Sequence, residues 1–192
     1  MLAADPLSPP SYDLHKEITI KITMAFLLMF VTLLHLVSLA MVFIATMEKS
    51  WWTWDSVDRA DLWHKCIYDN TTDTMMCTTV SQNDWLQSVQ ALMVLSVILS
   101  SISFIVFICQ LFTTSRKGLF YFSGLTQIFA GLTTFAAVLI YTFQRREILQ
   151  DPPELTKGYF GFCFILAWVC VPLLISSGVL YVHLRKKTHT AA

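Results

Sequence analysis

Cys66 and Cys77 stand with ten residues between them, and Asn70-Thr71-Thr72 lies inside that interval. Two chemistries fit these residue types at this spacing. The cysteines can join as a disulfide across a short hairpin. The triplet is an acceptor sequon for N-glycosylation, which operates on the lumenal side of a membrane. Asn70-Thr71-Thr72-Asp73 is a polar, turn-forming cluster. Leu62–Tyr68 and Thr74–Val80 are therefore expected to pair as a hairpin, with the two cysteines facing each other. Closing so short a loop contributes about 2–3 kcal/mol in the chain-entropy picture. The alternative is two free thiols, which are a liability when exposed in an oxidising compartment.

Elsewhere the chemistry-bearing side chains are sparse. His35 sits within an apolar run, and an ionisable residue there marks a functional site by default. The plainer reading is a neutral imidazole bonded to a neighbouring helix, since no carboxylate or second histidine lies at its depth. Gln87, Gln90 and Gln127 are expected to make interhelical hydrogen bonds, as is Gln110. Such bonds are worth about 0.6 kcal/mol on average in membranes. Cys163 and Cys170 share a helix face and read as packing. Cys109 is a candidate palmitoylation site. The chain has no Cys-x-x-Cys pair and no basic residue inside an apolar run. Catalysis and ion transport have no groups to work with, and no cofactor or metal is expected. A formal net charge of zero removes the electrostatic case for nucleic-acid binding.

The elements that hold these residues follow from where charge is missing. Four stretches carry no Asp, Glu, Lys or Arg: Ile22 to Met47, Trp85 to Ser115, Gly118 to Gln144 and Gly158 to Leu184. Each is longer than the roughly 20 residues a bilayer crossing needs. A soluble helix keeps a charged outer face; these have none, so their solvent is lipid. Backbone groups in lipid must satisfy one another, which makes the runs helices. The fold class is an all-α, four-span membrane bundle, with spans at about residues 24–46, 89–112, 119–141 and 159–184. Outer loops cover 47–88 and 142–158, and an inner loop covers 113–118. Residues 1–23 are proline-rich at first and show no apolar periodicity. They read as a disordered cytoplasmic extension, or as an alternative upstream start before Met24. Residues 188–192 are a short cytoplasmic tail.

Basic residues orient the chain only slightly. The dense positions are Arg116 and Lys117 in the short middle loop, and Arg185, Lys186 and Lys187 after the last span. The last three are expected to contact anionic lipid. The sequon and the two cysteines decide the matter: the first long loop lies outside and both termini are cytoplasmic. Span one is then a signal anchor. A cleaved signal peptide is the competing reading, but the apolar run exceeds the 7–15 residues of a signal core. Trp51, Trp52 and Trp85 stand where helices leave the bilayer and read as an aromatic belt. Trp63, in mid-loop, is expected to pack in a small outer core or to dip to the membrane surface. Pro172 is expected to kink the fourth helix.

Trp52, then Leu62-Trp63, Cys66 and Cys77 form a pattern that resembles the signature of the claudin and peripheral myelin protein superfamily. Trp85-Leu86-Gln87-Ser88-Val89-Gln90-Ala91, Gln110-Leu111-Phe112 and Ile165-Leu166-Ala167-Trp168-Val169 extend the resemblance, as do Ser177-Gly178-Val179-Leu180-Tyr181 and Leu184-Arg185-Lys186. Ser50-Trp51-Trp52-Thr53 is similar to the epithelial membrane protein branch. Two departures point the same way. Asp61 precedes the Leu-Trp pair where claudins usually carry Gly, and Val80 to Leu86 lacks their Arg. The resemblance implies a left-handed four-helix bundle capped by an antiparallel extracellular sheet, most of its strands from the first loop and one from the second. It implies a non-enzymatic plasma-membrane protein that associates with receptors, channels, adhesion molecules or copies of itself. Adhesion, proliferation, survival and membrane blebbing are the implied roles. The alternative is an auxiliary subunit that modulates an ion channel.

Overall fold

The computed structural model describes residues 10–54, 57–80, 83–112, 118–150 and 157–190, with side chains from Leu14 to Leu184. Among these residues, four helices, α1 (Pro10–Met47), α2 (Asp84–Phe112), α3 (Leu119–Leu149) and α4 (Phe162–Thr190), pack around an upper core, toward the sheet, and a smaller lower one. All four are long and apolar enough to cross a membrane. Five short strands gather at one end: β1 (Trp52–Thr53), β2 (Arg59–Ala60), β3 (His64–Asp69), β4 (Thr74–Thr79) and β5 (Tyr159–Phe160). They form one sheet in the order β4-β3-β2-β1-β5, antiparallel throughout. Four strands come from the first long loop and β5 from the second, as the family resemblance implies.

The core is mostly apolar, as in a soluble protein, but the outer surface is apolar too. Large apolar side chains cover the outside, Phe26, Phe112 and Phe143 among them at 72, 85 and 78% exposed. The interior of the bundle holds His35, Ser38, Ser96, Ser100, Ser103, Ser123, Gln127, Thr134 and Ser177. Lipid makes no distinction between an outward Phe and an inward one, so packing and hydrogen bonding choose which residues face in. Where α3 and α4 cross, the backbones nearly touch. A methyl group on Gly178 would lie 2.7 Å from the Gly124 carbonyl oxygen, and one on Gly124 would lie 2.8 Å from that of Gly178. Ser177 and Gly178 stand at this crossing, with Gly124 as the facing partner.

The first helix corrects an expectation. It begins at Pro10, so residues 10–23 are helical where composition predicts a disordered extension. Pro suits the first helical position because its missing N–H would be unpaired there anyway. Extending a helix already nucleated downstream needs only propagation, one hydrogen bond per residue fixed. Glu17 and Lys21 form an i,i+4 pair at 4.0 Å, and the Thr19 and Thr23 hydroxyls donate to carbonyls four residues back. Residues 1–9 lie outside the described residues. The other helices also overrun their expected spans. α2 starts at Asp84, five residues early, and α3 continues two turns past Tyr141 to Leu149, where Gln150 turns left-handed at φ 44°. These extra turns stand above the apolar window and carry the sheet. Pro172 lies inside an unbroken α4.

Candidate functional site

The hairpin expected around the sequon is β3–β4. Cys66 pairs directly with Cys77 in the register and the two form a disulfide, with Cα atoms 4.1 Å apart. The turn is built by side chains acting on their own backbone. One carboxylate oxygen of Asp69 accepts from the Thr71 N–H at 2.9 Å and the Thr71 hydroxyl at 2.5 Å, and the other accepts from the Thr72 hydroxyl at 3.0 Å. These bonds favour the anion, the Thr71 hydroxyl most, and hold Asp69 below its ordinary pKa. Asp73 takes the left-handed conformation at φ 52°, which Asp tolerates better than most residues. The Tyr68 hydroxyl donates to Asp73, which raises the tyrosine pKa. Asn70 is exposed at this tip.

The base of the hairpin is seated on the bundle. Asp61 is buried, and one of its carboxylate oxygens accepts from the backbone N–H groups of Trp63 and His64. A glycine at this position would leave both donors without that acceptor, so the departure from the claudin pattern carries a local turn. Leu62 is wholly buried in the upper core, and its carbonyl accepts from the Gln90 side-chain amide at 2.5 Å. The Trp63 indole N–H donates to the Thr46 carbonyl at the top of α1, 2.9 Å away. Trp63 therefore ties the loop to a helix end, in line with a small outer core. A groove between hairpin and α2 is lined by Trp63, His64, Thr79, Val80, Leu86 and Gln87.

The aromatic-belt reading is wrong for two of its three residues. Trp51 is fully buried; its indole N–H donates to the Ala45 carbonyl at 2.7 Å, and its ring meets Tyr141 edge-on at 4.9 Å. Trp52 is 2% exposed and lies under the Arg145 guanidinium, 4.2 Å from its centroid. Lys65 stands over Trp54 in the same way, at 4.6 Å. The reason is the height of α3, whose added turns wall in these rings. Trp85 alone is partly exposed, as a belt residue would be. On the far side of the sheet, a methyl group on Gly161 would lie 2.3 Å from the Ser50 carbonyl oxygen, so only Gly fits where β5 leads into α4.

Deep in the bundle, His35 on α1 joins two other helices. Its Nε2 lies 3.1 Å from the Ser100 carbonyl on α2, and its Nδ1 lies 2.5 Å from the Tyr181 hydroxyl on α4. A carbonyl can only accept, so Nε2 carries the proton and Tyr181 donates to Nδ1. Ser103 and Ser123 exchange hydroxyl-to-carbonyl bonds between α2 and α3 at 2.8 and 3.0 Å, and Ser96 reaches the Ala130 carbonyl at 2.8 Å. Of the glutamines expected to link helices, Gln90 bonds the outer loop instead and Gln87 lines the groove. Gln127 is wholly buried in α3. Cys163 and Cys170 are buried and Cys109 is exposed. The side chains of Arg185, Lys186 and Lys187 lie outside the described residues.

Sequence reading missed the serines and Tyr181. Their signal was present: Ser96, Ser100, Ser103 and Phe107 recur at helical spacing within α2, all buried. It is easily passed over because small polar residues are tolerated anywhere in a span. Among the described residues, no group of His, Cys, Asp and Glu could hold a metal ion. The arrangement can present a sheet at one bundle end and hold four helices in register.

Comparison with known proteins fits this architecture. The family model described as "PMP-22/EMP/MP20/Claudin family" matches residues 24–181. The chain is 47% identical to epithelial membrane protein 3 of Homo sapiens and 48% identical to that of Mus musculus, in each case over 85% of this chain and 99% of the relative. It is 37% identical to epithelial membrane protein 2 of Homo sapiens over the same shares. With its four membrane-spanning helices, its disulfide-closed hairpin and its sheet at one end of the bundle, the chain belongs to the PMP-22/EMP/MP20/Claudin family of multi-pass membrane proteins.

Proposed function

We propose that this protein is a non-enzymatic organiser of other integral membrane proteins at the plasma membrane. In this reading the sheet faces outward, both termini are cytoplasmic, and the partners are receptors, adhesion molecules or further copies of the chain. One observation carries the reading. The sheet is fastened to the bundle at Leu62, Trp63 and Trp52, yet its edge strand β4 is exposed along its whole length, Met75 and Met76 included. A fixed platform with an open edge suits contact with other proteins. Asn70 at the tip is then the glycosylated residue, Cys109 at the opposite end is the palmitoylated one, and Arg185, Lys186 and Lys187 meet anionic lipid, each worth about 1 kcal/mol. Adhesion, proliferation, survival and membrane blebbing are the processes in which such an organiser would act.

The test is cross-linking on intact cells with a membrane-impermeant amine reagent, followed by blue-native electrophoresis. Lys49 and Lys157 are exposed at the sheet end and supply the reactive amines. The expected result is a spread of several cross-linked species. A single stoichiometric complex with a channel would favour the auxiliary-subunit reading. No labelling of the sheet-end lysines would reverse the orientation.

A further inference from the structure

Several polar side chains from different helices lie at one level inside the bundle. Ser103 pairs with Ser123, and Ser96 with Ala130, so α2 and α3 run antiparallel in a fixed register. Gln127 lies midway along that stretch of α3, and Ser100 lies midway along the facing stretch of α2. Ser100 is the residue whose carbonyl binds His35 of α1. On α4, Gly178 meets Gly124 and Ile128, while Leu174 and Ile175 meet Gly131. Ser177 therefore stands at the height of Gln127. Tyr181, one turn on, bonds the same His35. Each of the four helices contributes to this layer.

The layer is not satisfied by protein alone. Gln127 and Ser177 are both 0% exposed, and among the described residues neither end of the Gln127 amide nor the Ser177 hydroxyl has a hydrogen-bonding partner. A buried amide or hydroxyl without a partner loses the hydrogen bonds it made to water in the unfolded chain and is destabilising. Three such atoms at one height within lipid point to a ligand that both donates and accepts. It must be small and neutral, because the layer has no charged side chain to balance an ion. Ordered water fits, since a buried water usually takes 2–4 polar partners. The Tyr181 hydroxyl, one turn along α4 and donating to His35, retains acceptor capacity.

We propose that the bundle holds a buried hydration site in which water bridges the Gln127 amide and the Ser177 hydroxyl, joining α3 to α4 beside the His35–Tyr181 pair. Water there would complete the hydrogen bonds that lipid cannot supply and fix the register of all four helices. The test is water-edited solid-state NMR on the full chain in lipid bilayers, with glutamine labelled at its side-chain nitrogen. The expected result is magnetisation transfer from water to the Gln127 amide, and loss of that one signal in Gln127→Leu with the other glutamine signals retained. Hydroxyl-radical footprinting gives a second readout: Tyr181 should be oxidised in the wild type and protected in Gln127→Leu. Transfer no faster than to the buried backbone amides of α3, with Tyr181 unlabelled, would overturn the proposal. So would a signal showing the Gln127 amide bonded directly to a protein group.

Discussion

The sheet and the bundle are held together by different physics. At the sheet end, directional contacts dominate: a disulfide, a buried carboxylate closing a turn, indole N–H groups on helix-end carbonyls, and cations over tryptophan rings. In the bundle, the hydrophobic effect does not separate inside from outside, because lipid is as apolar as leucine. What remains is close approach, as at Gly124 and Gly178, and hydrogen bonding between helices, as at His35. Each region uses what its solvent leaves available. Water rewards covering tryptophan and punishes free thiols; lipid rewards small residues that let backbones touch.

The sharpest way to break this comparison is to cut the staple. Cys66→Ser and Cys77→Ser should each lower the stability of the outer sheet by about 2–3 kcal/mol. The double variant should cost no more than either single one, since the first substitution already breaks the bond. Thermal unfolding in nanodiscs, followed by protease sensitivity of the outer loop, reads this directly. The bundle should stay helical by circular dichroism in all three. Additive losses would mean that the two sulfurs contribute separately.

The same difference explains what could be read from the chain. The hairpin was legible because Cys66, Cys77 and the turn cluster are residue types with few alternative uses at that spacing. Span count was legible because charge is absent from four long runs. The helix faces were not. A span such as α2 is apolar all round, so hydrophobic periodicity does not separate its faces; only the helical recurrence of Ser96, Ser100 and Ser103 marks the inner one, opposite Ile98, Ile102 and Ile105. The burial of Trp51 and Trp52 was hidden for another reason. It depends on Tyr141 and Arg145, far along the chain, and on how tall α3 stands. The helix over residues 10–23 was missed because its local cues were judged apart from the span that nucleates it.

A second substitution probes the bundle as the first probes the sheet. Gly178→Leu should force α3 and α4 apart, since even a methyl group there meets a backbone carbonyl that cannot rotate away. Overpacking of this kind costs about 1–3 kcal/mol. Gly178→Ala should fall toward the low end of that range. Gly118→Ala serves as the control, because nothing lies within 4 Å of the added carbon. Steric trapping or unfolding in mixed micelles would measure all three. If Gly178→Leu matched Gly118→Ala, close helix approach would not be what holds this interface, and the contrast with the sheet would fail. The outer disulfide should form in every case.

The smallest expected effect lies at the hairpin tip, where the sheet is most exposed to water. Asp69 is held below its ordinary pKa by the Thr71 hydroxyl, the Thr71 N–H and the Thr72 hydroxyl. A carboxylate with a depressed folded pKa contributes stability that is present above the unfolded value, about 3.9, and lost as pH falls through the lower folded value. Neutral and mildly acidic conditions should therefore leave the turn intact. Only at more acid pH should the Thr71 and Thr72 amide signals move, with a midpoint below that of a free aspartate. Asp69→Asn should abolish the titration while keeping an acceptor for the Thr71 N–H. The change should stay at the tip, because the Cys66–Cys77 bond closes the hairpin from the other side and holds the β3–β4 register fixed. A midpoint at or above the free value would show that these bonds do not favour the anion. Movement of signals in β1 or β5 would show that the tip and the seat of the sheet act as one unit rather than as two.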